Sequence, residues 1–271
     1  SYAALFADPE VAVVYIASPH SFHKAHARAA LEAGKHVLCE KPMGINAGEV
    51  RELIALAKQK GLFLMEALWS RFNPSIREVH QIVRGGKLGP LSYLRADFAF
   101  PALDRDPKGR LLNSDIAGGS LLDIGIYPVF LAYLLLGVPR DFRVLAHFHE
   151  TGVEKQIALL LEYPDALAVL YSGLSSHSEM KAEISCRDGS VFLNPRWHEA
   201  ESYEVFREGQ TRLVEHPLKG KGYTYEIEEV HTCLKTGKTE STLWSWADSS
   251  ALHGLLDEIR DRAGIVFPGE S

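Results

Sequence analysis

Three short motifs contain the side chains best suited to chemistry, and two of them end apolar runs. Glu40-Lys41-Pro42 follows one run, and Ser18-Pro19-His20 with His23 follows an earlier one. Downstream, Asp123 and Tyr127 stand four residues apart in an apolar segment. Ligands of α/β sheets bind beyond the carboxyl ends of the strands. A lysine, a tyrosine, a carboxylate and two histidines in such places suit hydride and proton transfer at a carbon that bears a hydroxyl.

Lys41 and Tyr127 are the predicted catalytic pair, with Asp123 beside them. A lysine next to the rigid ring of Pro42 can stabilise negative charge on a substrate oxygen as hydride moves; the alternative is a solvated surface lysine. Asp123 and Tyr127 share one helix face at this spacing. A nearby ammonium would favour the ionised phenol and make it a better proton shuttle. The alternative is that Tyr127 packs in the core while Asp123 caps or pairs structurally.

His20 and His23 begin a helix directly after a strand, where an imidazole can face the phosphate or the nicotinamide of a cofactor. A cap or core role is the alternative. A metal site that adds His26 lacks the carboxylate and the open position that such sites need, so the sequence predicts no metal. Glu40 can orient Lys41, accept a hydroxyl group of a cofactor, or serve only the structure.

The composition is that of an ordinary globular protein. The chain has 271 residues, 46% of them hydrophobic, with a formal charge of -6 and a mean hydropathy of -0.07. The negative charge argues against nucleic acid or an anionic membrane as the main partner. No apolar run reaches the roughly 18 residues that span a bilayer, and no signal-peptide pattern is seen. Three scattered cysteines predict reduced thiols and a cytoplasmic location.

Strand and helix patterns alternate over residues 1–88. We predict strands at 11–17, 35–39 and 62–65, and helices at 20–33, 46–60 and 74–84. Apolar, β-branched runs joined by helices of this length indicate a parallel sheet with right-handed crossovers. This part is predicted to be a partial dinucleotide-binding domain of Rossmann type.

The pattern changes after residue 88. Strand-like runs near 91–100, 143–149, 156–163, 167–173, 181–186, 190–193, 203–207 and 211–215 are separated by turn signals, with helices at 121–136, 224–235 and 246–262. Residues 89–271 are therefore predicted to form a second domain of α+β type, for which the family resemblance given below implies substrate binding and oligomerisation. The predicted fold class is α/β plus α+β: the C-terminal half of a Rossmann-type parallel sheet, then an open, mostly antiparallel β-sheet with helices on one face.

No glycine-rich phosphate loop of the form GxGxxG occurs in the chain. The three parallel strands therefore match the second half of a doubly wound sheet, with the first strands lacking. An apolar strand with no partner on one side is an association hazard. Three explanations stay open: a fragment of a longer protein, a natural short form whose sheet edge another subunit covers, or a different strand order.

Four motifs in this order resemble the glucose–fructose oxidoreductase / inositol dehydrogenase (Gfo/Idh/MocA) family. They are Ser18-Pro19-His20-x-x-His23, Glu40-Lys41-Pro42, the run MEALWSRF at 65–72, and Gly118-Gly119-x-Leu121-x-Asp123-x-Gly125-x-Tyr127. The runs at 38–43, 61–72 and 149–153 are most similar to the trans-1,2-dihydrobenzene-1,2-diol dehydrogenase branch. The segment that carries the family's dinucleotide fingerprint and its NAD or NADP selector has no counterpart here.

The resemblance implies a role for each motif residue. Lys41, Tyr127 and Asp123 match the catalytic group, with Tyr127 as general acid/base. Trp69 and Arg71 match residues on the nicotinamide side of the cofactor, although packing alone is the alternative. Phe98 matches an aromatic that lines the substrate pocket together with Tyr127, and ordinary core packing is equally compatible with it. The full set of expected cofactor-binding residues is Pro19, His20, His23, Glu40, Lys41, Pro42, Trp69 and Arg71.

The implied activity is hydride transfer between NADP or NAD and a sugar or cyclic diol carbon, with NADP favoured by the branch. Family members pair through the antiparallel sheet, so a homodimer or homotetramer is expected. The alternatives are a non-catalytic family member, or an inactive remnant that serves as a binding or assembly module. Together, Lys41, Asp123 and Tyr127 favour an enzyme.

Overall fold

A computed structural model describes residues 1–268, and its first part is a three-stranded parallel sheet. The strands β1 (Val13–Ile16), β2 (His36–Glu40) and β3 (Leu64–Ala67) lie in the order β1-β2-β3. Helix α2 (His23–Glu32) and helix α3 (Ala47–Lys60) connect them. The predicted parallel sheet is confirmed, and within the described residues β1 forms one of its edges.

The ends of these helices follow from local chemistry. The side chain of Asn46 accepts a hydrogen bond from the Glu49 amide at the start of α3, and Gly61 ends the helix in the left-handed region with φ 63°. Helix α4 (Pro74–Arg84) begins with Pro74 after the capping side chain of Asn73. Both helices therefore lie within one residue of the predicted ranges.

The second part is an eight-stranded sheet in the order β11-β10-β9-β8-β4-β7-β6-β5. All its neighbouring strands are antiparallel except the parallel pair β4 and β7, which confirms a mostly antiparallel sheet. Its strands are β4 (Leu91–Ala99), β5 (Asp141–Phe148), β6 (Glu154–Glu162), β7 (Leu167–Gly173), β8 (Ala182–Cys186), β9 (Gly189–Leu193), β10 (Ser202–Arg207) and β11 (Gln210–Glu215).

An apolar segment packs against this sheet and contains both Asp123 and Tyr127. A π-helical turn at Leu121–Gly125 leads into α5 (Ile126–Leu136). The stretch 114–136 is long and apolar enough to cross a membrane, with a mean hydropathy of 1.7. The prediction that no apolar run reaches the length of a membrane span is therefore wrong for this stretch. Because 78% of its most apolar window is buried in the protein, its hydropathy reflects a core position.

The C-terminal helices return to the first sheet. Helix α6 (Thr224–Lys235) and helix α7 (Trp246–Ala263) complete the chain, and a short helix α1 (Tyr2–Ala7) precedes β1. The indole of Trp246 donates to the Leu64 carbonyl oxygen at 2.9 Å. The amide of Ala47 donates to Asp257 at 2.8 Å. The end of the chain thus fixes the orientation of β3 and α3.

Glu66 is the buried centre of this contact. Its carboxylate lies 2.8 Å from His253 Nε2 and accepts hydrogen bonds from the Met43 amide at 2.9 Å and the Ser249 hydroxyl at 2.8 Å. Burial alone would raise the pKa of Glu66, but the charge of His253 and these hydrogen bonds hold it below its ordinary value. A buried carboxylate surrounded in this way ties β3, the turn after β2 and α7 together.

Replacing Glu66 by Gln should lower the free energy of unfolding by about 3 kcal/mol, because His253 then faces no compensating charge inside the protein. Urea denaturation followed by circular dichroism measures the change. Glu52→Gln is the matched control, since Glu52 pairs with Lys24 on the surface; it should leave the midpoint unchanged. Equal midpoints for the wild type and Glu66→Gln would contradict the role given to this network.

Candidate active site

A cavity of about 930 Å³ lies where the first sheet meets the second. The end of β2, the turn after β3, the end of β4 and the 121–127 segment each contribute to its wall. Two further segments, after β9 and before α6, close its other side. The lining residues include Glu40, Lys41, Trp69, Phe98, Arg110, Asp123, Tyr127, Arg196, His198 and Tyr223.

Lys41 and Tyr127 come together in this cavity, as the motif positions predict. Lys41 Nζ donates to the main-chain oxygen of Asp123 at 2.5 Å and lies 3.6 Å from Asp123 Oδ1. The same nitrogen lies 5.2 Å from the centroid of the Tyr127 ring. The amine is therefore held at a fixed place beside the phenol.

Asp123 is a buried carboxylate surrounded by positive charge. Arg110 Nη1 donates to Asp123 Oδ1 at 2.5 Å, and His20 Nε2 lies 3.9 Å from the same oxygen. Burial would raise the pKa of Asp123, but Lys41 and Arg110 hold it below its ordinary value. Sequence analysis did not identify Arg110, because its loop has no pattern that predicts where its side chain points.

Tyr127 is buried, and its hydroxyl accepts a hydrogen bond from Trp69 Nε1 at 2.6 Å. Burial raises the pKa of Tyr127 well above its ordinary value, and the charges of Glu40 and Asp123 raise it further. This corrects the expectation that a nearby lysine favours the ionised phenol. The reason is that desolvation outweighs the ammonium, which is already engaged by Asp123.

Trp69 connects the phenol to the segment before α6. Its ring stacks on Tyr223 with centroids 4.6 Å apart and planes 17° apart. Gly222 precedes Tyr223 with φ 88°, and a Cβ at this position would lie 2.8 Å from the Trp69 ring. The stack therefore requires glycine at 222 for both conformation and space.

A smaller cavity of about 210 Å³ adjoins the first and shares Glu40, Lys41 and Arg110 with it. Pro19, His20 and His23 line this second cavity. His20 Nδ1 lies 3.0 Å from the Ala117 carbonyl oxygen, and burial lowers the pKa of His20 to about 4, so its imidazole is neutral at pH 7.

His23 and Pro42 belong to the framework of this second cavity. His23 Nδ1 lies 2.7 Å from the Pro42 carbonyl oxygen, and Nε2 lies 2.6 Å from that of Ser18. The ring thus joins the loop after β1 to the loop after β2. Pro42 follows Lys41 through a cis peptide bond.

Arg71 and Phe98 differ in their relation to the cavities. Arg71 lines neither of them; it is buried, and its Nε donates to the Leu243 carbonyl oxygen at 2.8 Å. The structure thus places Arg71 in the contact between the segments before α4 and α7. Phe98 lines the larger cavity, with its ring centroid 5.6 Å from that of Tyr127.

The residues shared by the two cavities fit the ribose end of a nicotinamide cofactor. Glu40 Oε1 accepts the Tyr15 hydroxyl and Oε2 accepts the Lys41 amide at 3.1 Å, so the carboxylate is fixed while Lys41 Nζ reaches toward Asp123. A fixed acceptor beside an ammonium donor suits sugar hydroxyls. Among residues 1–268 no group of three or more His, Cys, Asp or Glu side chains is arranged to hold a metal ion.

Comparison with known families and proteins agrees with this geometry. Residues 1–68 match the model described as "Oxidoreductase family, NAD-binding Rossmann fold", and residues 76–192 match the "GFO/IDH/MocA C-terminal domain". The chain is 37% identical to trans-1,2-dihydrobenzene-1,2-diol dehydrogenase of Mus musculus over 279 residues, which covers 99% of this chain and 82% of the relative. The human enzyme of that name is 38% identical over 277 residues, with the same coverage.

Two solved structures share the fold. A 3-ketoreductase from Actinomadura kijaniata, in complex with NADP and TDP-benzene, superimposes with a TM-score of 0.86 at 26% identity, covering 97% of this chain and 82% of its own. An aldose-aldose oxidoreductase from Caulobacter crescentus, complexed with glycerol, has a TM-score of 0.86 at 28% identity, covering 96% of this chain and 79% of its own.

Gly222→Ala should separate Trp69 from Tyr223, because the added methyl group meets the indole. We expect a shift in tryptophan fluorescence and a loss of unfolding free energy of about 1–3 kcal/mol. Gly220→Ala is the matched control: it too has a positive φ, of 57°, but its nearest neighbour would be Thr224 at 3.6 Å. The control should leave the fluorescence unchanged; identical spectra for all three proteins would refute the close contact at 222.

Proposed function

We propose that this chain, which belongs to the GFO/IDH/MocA oxidoreductase family, catalyses an NAD(P)-dependent reaction. The reaction interconverts a hydroxyl and a carbonyl group on a cyclic diol or a sugar. The observation that supports it most directly is the position of Lys41 Nζ, 5.2 Å from the Tyr127 ring centroid in one cavity. The relatives reported above are named as enzymes, and nothing found favours a non-catalytic protein.

The cofactor that fits the shared residues supplies or accepts the hydride when it is bound. Glu40 and Lys41 would hold its nicotinamide ribose, and His20 and Pro19 would line the adjoining space. NADP is the form we favour, because the similar 3-ketoreductase is described in complex with NADP.

Tyr127 exchanges the proton with the reacting oxygen. Because its pKa is raised by burial, the phenol is protonated at neutral pH and is ready to donate to a substrate carbonyl oxygen. The bond from Trp69 Nε1 to the phenol oxygen leaves the hydroxyl proton free to point at the substrate. In the opposite direction the phenol must first lose its proton, so oxidation should become faster as the pH rises.

Lys41 stabilises the negative charge that develops on the same oxygen. Its ammonium is fixed by the Asp123 main-chain oxygen, so no reorganisation is needed as the charge develops. Asp123 balances the charges of Lys41 and Arg110, which allows two cations to approach one small cavity. Asp123 is therefore a positioning residue for the amine.

The aromatic wall of the cavity can pack against the faces of a substrate ring that carries hydroxyl groups. Phe98, Trp69 and Tyr127 offer flat apolar surfaces to its carbon–hydrogen bonds. Similarity to enzymes named for a diol and for aldoses supports the same class of substrate here.

Replacing Lys41 by Met should reduce kcat/KM by about 100- to 1000-fold, since the stem is kept while the charge facing the reacting oxygen is lost. Formation of NADPH from NADP⁺ and a vicinal cyclic diol, followed by absorbance, measures it. Lys24→Met is the control, because Lys24 pairs with Glu52 on the surface. Full activity of Lys41→Met would refute the mechanism, and an inactive wild type would refute the proposed reaction.

We also propose that two copies pair through the outer face of β5, β6 and β7. Leu160 lies directly opposite Val169 on this face, and both are exposed, at 43% and 41%. Leu145 and Leu167 extend the same face and are exposed too. A row of exposed apolar side chains on a sheet is typical of a surface that another protein covers.

Leu160→Glu should convert a dimer into a monomer, because it replaces an apolar contact by a carboxylate that would lose its hydration when the copies pair. Sedimentation equilibrium gives the mass of each form. Leu213→Glu is the matched control, since Leu213 is an exposed leucine of β11 at the other end of the sheet. A wild-type monomer, or a Leu160→Glu protein that stays dimeric, would contradict the proposed surface.

A further inference from the structure

His198 is a wall residue of the cavity whose polar atoms the proposed mechanism does not use, and aromatic rings pack around it. It lies on the short 3-10 helix Trp197–Glu199 that follows β9, and it is only 3% exposed. Its ring stacks on Phe98 with centroids 4.2 Å apart, and its centroid is 5.3 Å from that of Tyr127. The imidazole is therefore next to the place where the reacting carbon must lie.

Among residues 1–268, the nitrogens of His198 have no partner within hydrogen-bond distance. Nδ1 is sealed from solvent and makes no hydrogen bond. Nε2 lies 3.9 Å from Glu199 Oε1, which is too long for one. Buried polar side chains almost always have a partner. Nε2, which is not sealed in this way, is therefore the nitrogen left for a ligand of the cavity that His198 lines.

The imidazole of His198 is neutral, and this limits the hydrogen bonds that it can make. Burial, then the charges of Arg196 and Lys41, lower the pKa of His198 to about 3. A neutral imidazole has one N–H donor and one acceptor nitrogen. Because Nδ1 is sealed, a proton there would be a buried donor with no acceptor, which is rarer in proteins than an unpaired acceptor. The proton therefore belongs on Nε2, the nitrogen that is not sealed.

We propose that Nε2–H of His198 donates a hydrogen bond to a second oxygen of the substrate, beside the carbon that reacts at Tyr127. His198 is thus a specificity-determining residue that selects vicinal diols and sugars over simple alcohols. This inference rests on the proposed function for the location of the reacting carbon.

The chemistry of the surroundings favours a neutral hydroxyl over a charged group at this position. A carboxylate or phosphate is disfavoured here, because Glu199 Oε1 already lies 3.9 Å from Nε2 and aromatic rings pack around the imidazole. The charge of Arg196 is engaged by Glu199. A hydroxyl oxygen can accept the single N–H without bringing a net charge into this aromatic enclosure.

The experiment compares trans-cyclohexane-1,2-diol with cyclohexanol, which lacks the second hydroxyl. His198→Phe removes the hydrogen-bond donor and keeps a flat ring. His198→Gln keeps an amide N–H near the position of Nε2, whereas His198→Asn places its amide N–H near the position of Nδ1. Each variant is measured for kcat/KM with NADP⁺, and for cofactor-free binding through the intrinsic tryptophan fluorescence of the protein. Circular dichroism verifies that each variant is folded.

The preference for the diol is the ratio of its kcat/KM, or of its affinity, to that of cyclohexanol. This ratio should fall about tenfold in His198→Phe and His198→Asn. It should remain largely intact in His198→Gln. Phe98→Leu is the control for packing and should weaken both alcohols equally. An unchanged ratio in His198→Phe, or the same loss in His198→Gln, would overturn the proposal.

The two measurements separate this proposal from the proposed function. If the wild type turns over neither alcohol but binds the diol preferentially, and His198→Phe loses that preference, the redox function fails while the role of His198 holds. If the wild type oxidises both alcohols and the variants leave their ratio unchanged, the reaction holds and the role of His198 is wrong. A wild type that binds neither alcohol overturns both.

Discussion

One buried carboxylate organises the active site. Asp123 is almost fully enclosed, yet Lys41, Arg110 and His20 approach it from three separate segments of the chain. A carboxylate in such a position is stable only with positive charge beside it, and two cations can share a small cavity only with negative charge between them. This mutual dependence joins the parallel sheet to the apolar segment that contains Tyr127. The arrangement needs no metal ion to hold the amine in place, because the Asp123 main-chain oxygen fixes Lys41 Nζ at 2.5 Å.

The aromatic rings opposite this charge cluster raise the pKa of Tyr127, whereas the cations lower the pKa of Asp123. Tyr127 loses its contact with water among Trp69, Phe98 and His198, so its proton is held more tightly than in a free phenol. The same enclosure keeps His198 neutral. A protonated phenol and a neutral imidazole side by side can act on two neighbouring oxygens of one substrate, one as proton donor to the reacting atom and the other as an anchor. Burial therefore keeps the phenol protonated and the imidazole uncharged at neutral pH.

The rigidity of the site depends on contacts far from the cavity. Glu66, buried between Met43 and His253, ties β3 and the turn after β2 to the last helix. Because Lys41 directly follows β2 and Trp69 lies just after β3, the position of the Lys41 amine depends on how α7 packs. The final helix thus serves the first sheet, although it follows the second sheet in the chain.

The sequence alone determined most of the helices and strands, because hydrophobic period, caps and turn residues act locally: α4 begins at Pro74 and ends at Arg84 as its pattern requires. The short helix α1 and the π-helical form of Leu121–Gly125 were not predicted. The motifs also predicted that Lys41, Asp123 and Tyr127 meet at one site, and all three line one cavity. Lys41 follows a strand of the parallel sheet, whereas Asp123 and Tyr127 lie in the apolar segment that packs against the second sheet. Only the tertiary structure decided the ionisation of Tyr127, the pairing of Arg110 with Asp123, the position of Arg71 outside the cavities, and the presence of His198 beside the phenol. Each of these depends on burial and on side chains from distant segments. Solvent exclusion, which sets pKa values and leaves polar atoms without partners, arises only when those segments pack.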